Sequence, residues 1–267
     1  MRFWFISALL LLTATFMYLR FPYERLADRI ETEVQARSGW EVSIVNLAAR
    51  PTLLGPGFSA GPVRALRRGR TLSADKAVIR PAWSLSWLKF SPAFHLDVRA
   101  GAARVDGVLT LSNPPQFAGQ IVEADLEALA GREQQQDVRL TGRADAEIDL
   151  ALPSEGPQGP VQLTALEGSF SHPMVPLPIP FDRVDAALMF GGDAWLTISS
   201  SEIQSPLLSG RAQGTVGTPP GGPIALTLDL APNPAAAAVL AQQGIRAGRD
   251  GRISLQVRGT AANPRLR

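Results

Sequence analysis

The sequence predicts a mainly β protein in which two helices precede an extended antiparallel sheet. Beyond residue 39, apolar and polar residues alternate in many short runs, the pattern of strands with one covered face. The 24 glycines and 22 prolines are spread along all 267 residues, which suits short elements parted by turns. A faint echo adds to this. Leu140-Thr141-Gly142-Arg143-Ala144 resembles Leu208-Ser209-Gly210-Arg211-Ala212, and each is followed by a Gly-Pro-β-branched step, at Gly159-Pro160-Val161 and Gly222-Pro223-Ile224. Repeated hairpin-like units favour a sheet built by addition.

Residues 1–20 read as a transmembrane anchor. Phe3 to Leu19 holds no charge, Pro or Gly, and Arg2 and Arg20 flank it. As a helix it would rise about 25 Å, a little under a hydrocarbon core of about 30 Å. Snorkelling arginines close such a gap, and Trp4 and Tyr18 suit the two interfaces. A cleaved signal peptide would need small residues where Phe16, Met17 and Tyr18 stand, so an uncleaved anchor is favoured.

Residues 21–39 predict an amphipathic helix. Pro22 suits a first turn, Leu26, Ile30 and Val34 form a narrow apolar stripe, and Ser38-Gly39 ends it. The stripe is expected to pack on the sheet that follows.

Residues 40–267 form the β-rich body. Expected strands include Val42–Leu47, Phe58–Ala60, Leu72–Arg80, the alternating Phe94-Leu96-Val98 and the run Val105 to Leu111. Further strands are expected at 140–152, 161–166, 184–190, 195–198, 207–216, 224–230 and 252–258. Glu123–Gly131 and Ala235–Ala241 predict short helices. Pro173–Pro180 predicts a loop or edge, because proline cannot donate to a ladder.

Composition excludes several functions. Hydrophobic residues make up 45% and charged ones 19%, enough apolar material for a core. With no cysteine, disulfides, thiolate nucleophiles and cysteine-based zinc sites are ruled out. Net charge is +2, and no dense basic run interleaves with aromatics, so nucleic acid is not an expected partner. Arg67, Arg68 and Arg70 read as an exposed turn.

No catalytic, cofactor-binding or metal-ligating residues are assigned. His95 and His172 are isolated, without metal-ligand spacing. The carboxylates Asp182, Asp185 and Asp193, and Glu123, Asp125 and Glu127, read as solvated faces. No phosphate-binding glycine loop or nucleophile elbow occurs.

The assembled pattern resembles the type II secretion system protein N family, also called general secretion pathway protein N, and its AsmA-like relatives. The residues that carry the resemblance begin with the anchor leading into Phe21-Pro22-Tyr23-Glu24-Arg25-Leu26, the helix to Arg37 and the strand Val42–Leu47. They continue with Leu72–Arg80 joined to Pro81-Ala82-Trp83-Ser84-Leu85. The last are Asp250-Gly251-Arg252 and the ending Gly259-Thr260-Ala261-Ala262-Asn263-Pro264-Arg265. The resemblance implies a bitopic inner-membrane protein held through residues 3–19. Its elongated, curved periplasmic β-sheet would be associated with export of folded proteins and would dock other secretion components. It supplies no catalytic residues. AsmA-like relatives also imply an alternative, a lipid-handling protein with an apolar β-groove.

Overall fold

In the computed structural model the described residues are 9–266, apart from 11, 14, 19, 39, 52–54, 68–69, 84–89, 131–138, 172–177, 219–220, 243–246, 249 and 261–262. Much of the expected anchor, including residues 3–8, therefore lies outside the described residues, as do His172 and most of the Pro-rich loop. The described residues between Leu9 and Arg20 are helical, and Leu9, Leu10, Leu12, Phe16 and Met17 are exposed. Among the described residues no helix is long and apolar enough to cross a membrane.

Helix α1 (Tyr23–Ser38) follows as expected. Its buried centre is Ala27, whereas Ile30 of the predicted stripe is exposed. Glu31, half-buried, explains the rotation: its Oε1 accepts the Ile44 N–H at 2.5 Å. A charge-assisted bond to a strand end outranks one more aliphatic contact.

Strands are numbered in chain order. β1 (Glu41–Ile44), β4 (Val63–Arg67) and β5 (Arg70–Ala74) form a small antiparallel sheet in the order β1-β4-β5. All the rest join one sheet of 14 strands. Its first members are β2 (Ala48–Ala49), β3 (Phe58–Ala60), β6 (Lys76–Pro81), β7 (Ala93–Ala100) and β8 (Ala103–Thr110). Next come β9 (Gln116–Asp125), β10 (Arg139–Ala151), β11 (Gly159–Ser171), β12 (Ile179–Phe190) and β13 (Leu196–Gln204). β14 (Leu208–Val216), β15 (Pro223–Pro232), β16 (Ile253–Thr260) and β17 (Asn263–Leu266) complete it. From β7 onward every strand pairs antiparallel with its neighbours in sequence, so from β6 to β17 the sheet is an unbroken meander. At about 4.8 Å per strand it extends roughly 60 Å.

Several expectations shift in detail. The predicted strand Leu72–Arg80 is two strands in two sheets, broken at Asp75. There the Asp75 N–H donates to Arg99 O and its carboxylate accepts from Gly101 N–H, both at 2.7 Å. The helix predicted at Glu123–Gly131 begins only at Leu126, because β9 runs through Asp125, which caps α2 (Leu126–Ala130) by accepting Glu127 N–H at 2.9 Å. Ile179 and Pro180, expected in a loop, open β12. α3 (Pro234–Gln242) forms as predicted, with Asn233 Oδ1 capping Ala236 N–H at 2.8 Å and Pro234 in the first turn.

The echoed segments occupy equivalent places. Leu140–Ala144 and Leu208–Ala212 each open a strand, β10 and β14, and the two Gly-Pro steps open the next strand in each pair, β11 and β15.

The core is thin. One buried cluster, Ala124, Leu126, Ala144, Ala165 and Phe181, sits where α2 meets the centre of the sheet. Not one large side chain among the described residues is fully buried. The chain exposes 18214 Å², where a compact monomer of this mass exposes about 11,000 Å². The sheet is a single layer over most of its area.

Candidate functional surface

Strand register sorts the side chains of the large sheet into two unlike faces. On one, a single row passes from Phe58 through Ile79, Leu96, Gly107, Gly119, Ile148, Val161, Leu188, Ile198, Gly214 and Leu226 to Val257. The next row runs from Ala77 through Val98, Val105, Ile121 and Ala146 to Leu163 and Ala186. Four such rows, about 20 Å across at two residues per step, contain no Asp, Glu, Lys, Arg or His. Phe117 fills the gap left by the paired glycines. Its Cζ lies 2.8 and 3.0 Å from where Cβ atoms on Gly107 and Gly119 would sit. Along β10 and β15 this face is half-buried while the opposite residues are mostly exposed.

The other face is polar. Arg104 bridges Asp97 (Nη2–Oδ2 2.9 Å, Nε–Oδ1 3.2 Å) and Asp106 (3.4 Å). Such exposed pairs are worth little individually. They set the character of the face more than its stability.

His95 belongs to this polar face, half-buried, with Nε2 3.4 Å from Asp106 Oδ1 and a buried Nδ1 that finds no partner among the described residues. Asp182 and Asp193 lie at opposite ends of β12 and do not converge, and Asp182 and Asp193 are both exposed. Glu123 sits at a bulge with φ +54° and its N–H donates to Asp145 Oδ1. Asp125 is occupied as the cap of α2. The backbones of Arg67 and Arg70 pair in register across the β4–β5 turn. Among the described residues no three His, Asp or Glu gather as metal ligands.

Asp185 is paired with an arginine on its own strand. Arg183 grips it through Nε (2.5 Å) and Nη2 (2.8 Å), and Thr164 Oγ1 donates at 2.8 Å. The Arg183 hydrogen bonds hold the Asp185 carboxyl below the usual carboxylate range, against the opposing effect of burial. The stability this adds is present above the ordinary carboxylate range and fades as pH falls through the lowered pKa. Arg183→Gln is therefore expected to move the Asp185 titration upward in a carboxyl-detected NMR pH series. An unmoved titration would mean that the pair does not form in solution.

Two shallow depressions lie on the polar face. One, of about 540 Å³, is lined by His95, Asp106, Gln120, Glu147, Asp149 and Gln162, among others. The second, of about 630 Å³, includes Asp185, Glu202, Arg211 and Asp229. Neither joins a nucleophile to an oriented base, so their chemistry is that of a charged surface.

The feature that sequence reading missed is the continuity of the apolar face. Alternation within single strands was visible, but only the register shows that twelve strands, β3 and β6 to β16, present one uncharged surface. No family model, no curated protein and no solved structure matches the chain.

Proposed function

We propose that this protein is an accessory, non-catalytic component of type II protein secretion. Residues 3–19 anchor it in the inner membrane, and a periplasmic β-body docks other secretion components. The observation that carries the reading is the architecture that follows the helices, a long one-layer antiparallel meander of the kind the family resemblance implies. Two further features support it. Leu9, Leu10, Leu12, Phe16 and Met17 of the N-terminal helical residues are exposed. The sheet also has open edges: β17 pairs only with Val257–Thr260, so Ile253–Gln256 have no outer strand among the described residues. An open edge of this kind takes an added strand from a partner.

The test is fractionation, secretion and pull-down with the full-length chain. The protein should stay in the membrane through carbonate washing, because a spanning helix inserts almost irreversibly. Its deletion should lower export of folded proteins, and secretion components should co-purify with it. A mature N-terminus beyond Leu19, or undiminished secretion, overturns the reading.

The uncharged face favours a second reading, an AsmA-like protein that handles lipid. A surface about 60 Å by 20 Å without one charge is larger than the apolar patches of ordinary soluble monomers. If the sheet curves toward this face, it forms a groove for acyl chains.

A further inference from the structure

In a meander, alternate connections emerge at the same end of the sheet. The segments 82–92, 111–115, 152–158 and 191–195, which follow β6, β8, β10 and β12, all leave from one end. Turn tips are ordinarily polar. Here they carry exposed apolar residues: Phe90, 95% exposed, Trp83, 59% exposed, and Leu111, Leu152 and Trp195. Trp195 stands edge-on to Phe190, with ring centroids 5.4 Å apart, so it is held in place by the strand beneath it. Among the described residues of the large sheet, the opposite end offers only Val122 as a large exposed apolar residue.

Charge follows the same division. The connecting segments at the apolar end, 217–222 included, hold three charged residues, Lys89, Glu155 and Asp193. Segments 101–102, 126–138, 172–178, 205–207 and 233–252, at the other end, hold eight, all of them in 126–138 and 233–252.

The N-terminal helical residues meet the body at the apolar end. Tyr18 Oη accepts the Gly57 N–H at 2.9 Å, and the Tyr18 ring packs edge-on against Phe58 at 6.0 Å. A Cβ on Gly57 would touch Arg80, and one on Gly55 would lie 3.3 Å from the Trp83 ring. Tyr18 thus ties the N-terminal helical residues to the body near Trp83, at one corner of the apolar rim.

We propose that this rim is a second membrane contact, the turn tips resting in the bilayer interface while the strands stand on the membrane and the long axis of the sheet lies along it. The inference rests on the anchoring reading. A bilayer fits the rim better than a protein groove because its members are spaced along the sheet on alternate turns, which suits a broad surface. Two tryptophans among them match the residue type that favours the headgroup layer.

The absence of cysteine makes the test direct, since one introduced thiol carries one dye. Full-length single-cysteine variants would be labelled with an environment-sensitive fluorophore and reconstituted in phosphatidylethanolamine–phosphatidylglycerol vesicles. Leu111→Cys, Leu152→Cys and Trp195→Cys report the rim, Ala102→Cys and Gln242→Cys the opposite end, and Phe16→Cys the anchor. Circular dichroism confirms that each is folded; the exposed turn positions Leu111 and Leu152 carry the test even if Trp195→Cys is not. Rim labels should be quenched several-fold more by nitroxide lipids than by aqueous iodide, with the reverse at 102 and 242. If the label at 16 escapes deep nitroxide lipids, the anchoring reading fails. If that label is quenched while the rim labels answer to iodide, the rim inference alone is overturned. Rim labels shielded from both quenchers would identify a protein interface and overturn it equally.

Discussion

Phe181→Ala is expected to cost the sheet about 3–5 kcal/mol, which is most of the stability of a marginal domain. Phe181 is 6% exposed and anchors the buried cluster beneath α2. Its ring covers Gly168, where a Cβ would lie 2.3 Å from Phe181 Cζ. The neighbours Ala124, Ala144 and Ala165 are too small to collapse into the space left behind, so the cavity would persist. Urea denaturation followed by circular dichroism measures the loss, with Met189→Ala, exposed on the polar face, as the control expected to stay within about 0.5 kcal/mol. Equal midpoints for the two variants would show that the cluster does not hold the sheet together.

Ile148→Asp and Leu228→Asp are expected to have the largest effect on what the apolar face can hold. Both residues lie on the uncharged rows and both are half-buried, with no second layer over them among the described residues. A carboxylate in a closed core would be ruinous, but at these sites it reaches water at the surface of the layer. The expected loss is about 1–3 kcal/mol, so the variants should fold. Their consequence falls on any bound acyl chain, which would now meet a charge in the middle of its track. Thermal melting combined with mass spectrometry of co-purified lipid separates the two functional readings. Folded variants that lose lipid carried by the parent favour lipid handling. A lipid-free parent whose variants still fold and still bind secretion components favours docking. Variants that fail to fold would show that a second layer covers this face.

Much of this architecture was legible in the sequence, for a local reason. A strand declares itself by alternation, and β10, β14, β15 and β16 have apolar residues in nearly every inward slot. β9 was overlooked because Ala118 and the exposed Val122 put apolar residues in its outward slots and blur the alternation. The break at Asp75 depends on Arg99 and Gly101, more than twenty residues away, and nothing local announces it. β4 escaped notice because Arg64 and Arg67 stand among its few apolar residues. The orientation of α1 likewise turned on the Glu31 bond to Ile44, a contact that a helical stripe cannot reveal. Which residues share a rim follows from counting turns, so it becomes readable only once every strand is known.

From β7 to β16 each strand is paired in the sheet only with the strand before it and the strand after it. Such a chain behaves as a one-dimensional lattice, with nearest-neighbour couplings and no closure between first and last members. Excising one hairpin, two strands at a time, would return every later side chain to its original face and every later turn to its original end. The molecule can therefore be shortened in steps of about 10 Å, set by strand spacing, without rewriting its surface. Opening should also be graded, with amide protons exchanging soonest at the two unclosed margins and slowest around β10 to β12, where the buried cluster clamps the array.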